Sequence, residues 1–382
     1  MAGHPSSSYF PALTGLRAVA AFMVYLSHSQ PLRFITDSPV LLSLDFTIGV
    51  NIFFVLSGFL ITLRYAESAT LRASFWRPYL ANRFARVYPM WWLLSTIALV
   101  WRLGHHGQST VGTEVRHYLA SISFVRGFSS TLLYAQIQQG WTLTVEESFY
   151  LLAPVLFVLW RKGKSAAVVF GLAAVGLLAV GSLLVETVGG RFEGFFSDYY
   201  LVLCWTIVGR CGEFFAGAGL ACWLLRRDAG AQHRGAALTA LSIGGILLVL
   251  LLVGYARRLQ VPEMTVRLVL LQGLLTLPLV GLLYGLLSER TWASRALGSA
   301  PAVVLGKASY IFYLIHMGPV HDAIYRGGPA WDTPGRWALD LLGITALSVA
   351  AYYWMEAPLN QFFRRRLAGQ PVAAAASLHK PA

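Results

Sequence analysis

The chain has 382 residues, of which 56% are apolar and only 12% charged, with a mean hydropathy of +0.59. Soluble domains carry about a quarter charged residues, so composition excludes an ordinary soluble fold. The net charge of +13 would in a soluble protein raise nucleic acid as a partner; here the basic residues gather between apolar segments, and no nucleic acid is expected.

Apolar stretches of bilayer-crossing length, roughly 17–25 residues, recur throughout. They predict ten spans, at 12–31, 46–64, 88–103, 141–160, 165–187, 199–225, 236–254, 264–287, 300–319 and 335–357. The expected fold class is all-α: a polytopic membrane helix bundle with about ten transmembrane helices. The start has neither a basic n-region nor a small-residue cleavage site, so the first span reads as a retained helix. Segments 64–87, 161–164, 226–234, 287–298 and the tail after 357 hold 17 Lys and Arg, roughly twice the number in the alternate loops. The positive-inside rule puts those segments, and both termini, in the cytoplasm of a cell (inner) membrane protein.

In chain order, the first span, "LTGLRAVAAFMVYLSHSQ", carries Arg17 and His28. Eleven residues are almost three helical turns, so the two share a face about 16 Å apart along the axis. Ionisable groups cost about 2.5–3.5 kcal/mol at mid-depth and default to functional hypotheses. A guanidinium at the inner mouth suits a phosphate, and a deeper imidazole suits proton transfer near neutral pH. Spacing alone equally fits a snorkelling arginine and a packed histidine. In the second span "IFFVLSGFLIT" contains Ser57-Gly58 inside an apolar helix rather than at a strand-to-helix turn, which disfavours a serine hydrolase.

Before the third span, "FWRPYLANRFARVYPMWW" puts Arg83 and Arg86 on one helical face. They fit either an anchor for anionic lipid or a cradle for a phosphorylated cosubstrate. The connection 104–140 has the composition of a lid or re-entrant segment. "WTLTVEESFYLLAP" opens the fourth span with Trp141, Glu146 and Glu147, and Glu146 shares a face with Tyr150. The sixth span holds Arg210 and Glu213, an i,i+3 pair read as structural, and the three cysteines, Cys204, Cys211 and Cys222, read as packing residues. Gly212 with Ala216, and Gly217 with Ala221, suit close helix packing in lipid. Of nine histidines only His28 and His316 fall inside spans, and Glu356 closes the tenth. No metal-ligand spacing or Gly-rich phosphate loop occurs in convincing context.

Seven segments in order, "LTGLRAVAAFMVYLSHS", "GVNIFFVLSGFLIT", "NRFARVYPMWW", "WTLTVEESFYLLAPVL", "GRCGEFFAGAGLA", "LGKASYIFYLIH" and "MEAPLN", resemble the acyltransferase-3 family of integral membrane acyltransferases, which includes O-antigen acetylases and macrolide acyltransferases. The resemblance covers about residues 10–365 and implies a short cytoplasmic N-terminus (1–9), an acyltransferase domain (10–365) and a disordered cytoplasmic tail (366–382). It looks like the stand-alone type, with no esterase-like domain after the tenth span. The family's motifs fall on Arg17 and His28, on Arg83 and Arg86, on Trp141 and Glu146, and on His316. Thr14 and Asn51 stand where relatives often have Asp, which changes little; Asn82 stands where a further Arg is common, a loss expected to weaken or reshape the cytoplasmic cosubstrate site.

The resemblance implies an acyl-CoA-dependent O-acyltransferase that moves an acyl group, most simply acetyl, to a hydroxyl of a carbohydrate or glycosylated small-molecule acceptor. Acyl-CoA would be a cosubstrate, with no tightly bound cofactor. Its phosphates would meet Arg83, Arg86 and Arg17, and its pantetheine arm would follow the Arg17–His28 stripe. His28 would be the general base or, in a second version, an acyl-carrying nucleophile, with Glu146 orienting or charge-stabilising the imidazole. Trp141, Tyr150, His316 and Glu356 would bind substrate or support the site. The competing reading is a transporter or flippase whose buried polar groups line a path; the missing inverted repeat and the arginine cluster favour the enzyme. An inactive membrane scaffold is a third. Acceptor identity, acyl length and oligomeric state are not readable from the sequence.

Overall fold

A computed structural model describes residues 9–104, 110–227, 235–318, 320–322 and 331–368. Among the described residues there is no β-strand, only an isolated bridge between Ser129 and Phe195. The main helices are α1 (Pro11–Ser29), α2 (Ile48–Tyr65), α3 (Ala73–Gly104), α4 (Val111–Ile122), α5 (Trp141–Arg161), α6 (Ala166–Thr187), α7 (Tyr199–Trp205) and α8 (Ile207–Leu225). They continue with α9 (Ala237–Arg258), α10 (Thr276–Ser288), α11 (Ala300–Ile315), α12 (Pro334–Ala351) and α13 (Ala357–Ala368). Each expected span falls on helix, although the ninth is helical only as Ala300–Ile315 and its last position, 319, lies outside the described residues. Among the described residues, seven stretches are long and apolar enough to cross a membrane by length and composition, and Ala300–Ile315 is a shorter apolar helix.

Local chemistry sets the ends and breaks. Pro11 opens α1, where its missing N–H costs nothing, and Gln30 ends it in the left-handed region (φ 45°), its N–H returning to the Leu26 carbonyl. The expected sixth span divides into α7 and α8 because Thr206 is extended: its hydroxyl donates to the Val202 carbonyl (2.7 Å) and accepts from the Val208 N–H (3.2 Å), capping the second helix. Two wide π turns interrupt the winding, at Val266–Leu274 before α10 and at Tyr352–Glu356 between α12 and α13. The expected tail boundary moves outward: helix continues through Ala368, and 369–382 lie outside the described residues.

Connections meet on two opposite faces. On one, the Arg161 guanidinium donates to the Ala69 carbonyl (2.6 Å) and Arg226 to the Lys164 carbonyl (3.1 Å). This basic face collects the Arg-rich loops grouped above. On the other, the described part of the connection after α3, 110–140, is a short helix and two 3₁₀ turns, stitched to residues 188–198 by Ser130 N–H to the Gly194 carbonyl (3.0 Å). Arg126 lies wholly buried there, donating to the Leu133 (2.7 Å) and Gln138 (3.3 Å) carbonyls. Asp45 is paired with Arg257 at 2.6 Å on the same side.

The core is aromatic and tightly layered. Phe214 of α8 stacks between Phe54 of α2 (4.6 Å) and Phe149 of α5 (4.5 Å), geometry that adds to simple area burial. The three cysteines are free and buried. Gly217 touches the α2 backbone so closely that an added Cβ would lie 2.0 Å from the Val55 carbonyl oxygen, whereas one on Gly212 would meet nothing within 4 Å. The expected small-residue packing therefore holds at Gly217 and fails at Gly212, whose side of α8 has no close backbone neighbour.

Gly217→Ala is expected to cost about 1–3 kcal/mol through overpacking, lowering the melting temperature of the detergent-purified protein by a few degrees; Gly212→Ala should leave it unchanged. Asp45 supplies a pH test. Burial alone would raise its carboxyl, but Arg257 and the Thr47 hydroxyl and N–H outweigh that and hold it below its ordinary value. Its contribution is complete above the unfolded carboxylate pKa and lost as pH falls through the lowered folded value. Melting curves of Asp45→Asn should lie below wild type near neutrality and converge with it in acid.

Candidate functional site

Arg17, on the inner part of α1, lines two adjoining cavities. The lower one, about 540 Å³, is bounded by Arg17, Phe53, Ser57, Arg83, Arg86, Glu146, Tyr150 and Tyr310. The upper one, about 400 Å³, is bounded by Arg17, Phe53, Glu146, Thr142, Tyr310 and Tyr313 with apolar Val50, Phe54 and Leu143. The shared residues Arg17, Phe53, Glu146 and Tyr310 make a waist, so the two form one shaft rising from the basic face. Its lower end is cationic and its upper end largely apolar.

The charges in the shaft are held unequally. Arg86 is ion-paired with Glu356, a carboxylate that is 2% exposed and presented by the π turn. Arg83 lies over the rings of Tyr65 (5.8 Å) and Tyr150 (5.5 Å), and Arg17 over Phe53 (5.9 Å), contacts that favour a cation without neutralising it. The Nε atoms of Arg17 and Arg83 are buried without a hydrogen-bond partner. Glu146 accepts from the Ser57 hydroxyl (2.9 Å) and the Tyr150 hydroxyl (3.3 Å), fulfilling the shared-face expectation for Glu146 and Tyr150. Ser57, read from sequence as an ordinary helix residue, thus sits in the shaft.

His28 lies elsewhere than expected. Its Nδ1 is 3.1 Å from His316 Nε2, and His316 Nδ1 is 2.8 Å from the Tyr313 carbonyl oxygen. A carbonyl only accepts, so His316 Nδ1 carries a proton; with His316 neutral, its Nε2 is the acceptor and His28 Nδ1 donates. That tautomer leaves His28 Nε2 with a free lone pair. His316 is fully buried while His28 is exposed on the face opposite the arginines. Glu146 hydrogen-bonds to Ser57 and Tyr150 rather than to either imidazole: the partner that orients His28 is His316.

The expected stripe from Arg17 to His28 is also not one continuous groove. His28 lines neither cavity, because the turns of α1 between the two residues are filled. Phe22 packs edge-on against Phe312 (4.9 Å), and Tyr25 does so at 5.9 Å. The shaft leaves α1 after Arg17 and follows α2, α5 and α11. Tyr313 belongs to both regions. Its ring lines the upper cavity, its hydroxyl lies 3.0 Å from Thr142 Oγ1 and donates to the Gln139 carbonyl (3.1 Å), and its own carbonyl anchors the histidine pair.

The surroundings of His28 are aromatic. The Tyr25 hydroxyl (2.8 Å) and Trp331 indole N–H (2.6 Å) donate to buried Asp340, and the Trp337 indole donates to Ser29 (3.0 Å). Trp141, by contrast, lines neither cavity; it packs edge-on against Trp205 (4.8 Å) beneath the Arg210 guanidinium. Sequence reasoning missed Tyr313, Ser57 and Asp340. The signal available for Tyr313 was its position three residues before His316, one turn along the same helix.

Residues 10–354 match the family model described as an acyltransferase domain; the chain belongs to this acyltransferase-3 family of multi-pass membrane proteins. Among curated relatives, it is 31% identical over 83% of its length to 90% of the exopolysaccharide production protein ExoZ of Rhizobium meliloti. It is 26% identical to the acyltransferase MdmB of Streptomyces mycarofaciens, covering 89% of this chain and 87% of that one. It is 27% identical, over 41% of its length, to a quarter (25%) of the peptidoglycan O-acetyltransferase OatA of Listeria monocytogenes. No solved structure matches.

Outside the shaft, Arg210 and Glu213 form a buried pair (2.7 Å), and the Asn51 amide donates to Glu213 (2.9 Å) and to the Leu271 carbonyl in the π turn (2.8 Å). Glu213→Leu should strand a buried guanidinium and cost about 3–5 kcal/mol, while Arg210→Met with Glu213→Leu should recover most of that loss. Thermal melting of the single and double variants in detergent measures both; equal melting temperatures would show that the pair contributes nothing to folding.

Proposed function

We propose that the protein transfers a short acyl group, most simply acetyl, from acyl-CoA to a hydroxyl of a carbohydrate or glycosylated acceptor. The observation that carries this reading is the shaft running from Arg83 and Arg86 up to Tyr313, whose carbonyl anchors the His28–His316 pair. By the positive-inside rule, the basic face is cytoplasmic in the cell membrane, where acyl-CoA is made. Arg83, Arg86 and Arg17 receive its phosphates as charge-assisted, fork-shaped donors. The upper cavity takes the pantetheine arm and the thioester, which meets His28 past the Tyr313 ring.

In the transfer, His28 Nε2 removes the acceptor hydroxyl proton, the oxygen attacks the thioester carbonyl carbon, and the carbon–sulfur bond breaks. The proton taken by His28 goes to the departing thiolate, so the imidazole ends neutral. His316 is a positioning residue: it fixes the His28 tautomer from behind. Glu146, held by Ser57 and Tyr150, places its carboxyl at the waist that Arg17 also lines. The relatives' names speak of exopolysaccharide and peptidoglycan. The half-buried indoles of Trp331 and Trp337 near His28 offer aromatic edges that suit the apolar faces of a sugar ring.

His28→Ala should lower acyl-CoA-dependent thiol release and acceptor acylation by about 100-fold or more with unchanged expression and unchanged CoA affinity. Retained turnover would remove His28 from the mechanism. His316→Gln, which can still accept from His28, should keep more activity than His316→Phe and shift the acid limb of the kcat profile; a pure transporter would release no thiol in any variant.

A further inference from the structure

The basic end of the shaft carries more charge than Arg83 and Arg86 supply. α13 packs along α3, with Glu356 paired to Arg86 and Phe363 against Phe84 (5.5 Å). That contact brings the next residue, Arg364, to the turn bearing Arg83. Arg364 is half-buried, and its Nε is buried with no hydrogen-bond partner, whereas Arg365 and Arg366 point to the exterior. Arg64, at the end of α2, is exposed, and its guanidinium lies 5.4 Å from the Tyr65 ring that Arg83 also covers. Arg64, Arg83 and Arg86 are the cationic neighbours whose fields reach Arg364. Neither Arg64 nor Arg364 lines the cavity itself, and Arg364 lies beyond the stretch matched by the family model.

Like charges gathered at a half-buried mouth repel one another and are relieved by a multiply charged anion. Acyl-CoA carries its phosphates in two places: a diphosphate next to the pantetheine arm and a monophosphate on the ribose 3′ oxygen. A ligand threaded arm-first presents the diphosphate to the interior arginines and leaves the 3′-phosphate at the rim. We propose that Arg364 and Arg64 form a second phosphate seat at the mouth, which holds the donor's ribose 3′-phosphate, while Arg83 and Arg86 hold the diphosphate. This rests on the acyl-CoA reading above. It makes the tail helix part of donor recognition and the arginine rim the element that separates CoA from its dephosphorylated precursor.

Calorimetric titration of the detergent-purified full-length protein with CoA and with 3′-dephospho-CoA tests it. Wild type should bind CoA at least about tenfold more tightly than dephospho-CoA, the size of one charge-assisted contact. Arg364→Gln should abolish that preference while leaving the dephospho-CoA affinity within about twofold, Arg364→Lys should restore part of it, and Arg365→Gln should match wild type. Unchanged dephospho-CoA binding also reports that the variant is folded. Equal affinities in wild type, an undiminished preference in Arg364→Gln, or an equal loss for both ligands would overturn the proposal, the last marking Arg364 as a packing or lipid-anchoring residue. A wild-type protein that binds neither ligand would overturn the donor reading and this one with it.

Discussion

A guanidinium keeps its charge wherever it is buried, and this bundle encloses several with few carboxylates to meet them. How each charge is compensated separates scaffold from site. Arg210 has Glu213, itself steadied by Asn51, and Arg126 has backbone carbonyls; neither lines the two cavities. Arg86 has Glu356, while Arg17 and Arg83 have aromatic faces and open space. Incomplete compensation beside a cavity is the electrostatic form of a binding site, and Arg17 and Arg83 place it toward the basic face.

The opposite end runs on hydrogen-bond direction rather than charge. From the Tyr313 carbonyl through His316 to His28, each group's role follows from the one before. The result is an imidazole whose free nitrogen faces outward from a fixed frame. Tyr313 ties the two ends together, since its ring bounds the cavity and its main chain holds the histidines. Donor and acceptor are therefore addressed by chemically different surfaces, arginines and tyrosines below, imidazole and indoles above.

The spans were legible because bilayer thickness forces long apolar runs, and Arg17, His28 and His316 were legible because ionisable groups inside such runs are conspicuous. The pairing of Glu146 with Tyr150 followed from helical spacing. What spacing could not supply was anything made between helices. His28 and His316 are 288 positions apart, and no local rule joins them. The groove expected along α1 is absent because Phe22 and Tyr25 meet Phe312 from α11, a contact invisible from α1 alone. Arg364 hid in a triplet that counts, in sequence, only as basic charge on the cytoplasmic side; packing against α3 separates it from its neighbours. The break at Thr206 was masked because hydropathy runs unbroken across it.

The π turn at Tyr352–Glu356 has a geometric consequence for everything downstream. Each residue of α-helix advances the side chains by about 100°, so one residue more or fewer within that turn would swing the whole of α13 around its axis. The widened winding acts as a phase adjuster: α12 keeps its lipid-facing register while Glu356 is aimed at Arg86 and the terminal helix is dialled onto α3. Insertions and deletions in this short stretch would thus behave as rotations, felt a dozen residues away while every intervening contact within the helix survives.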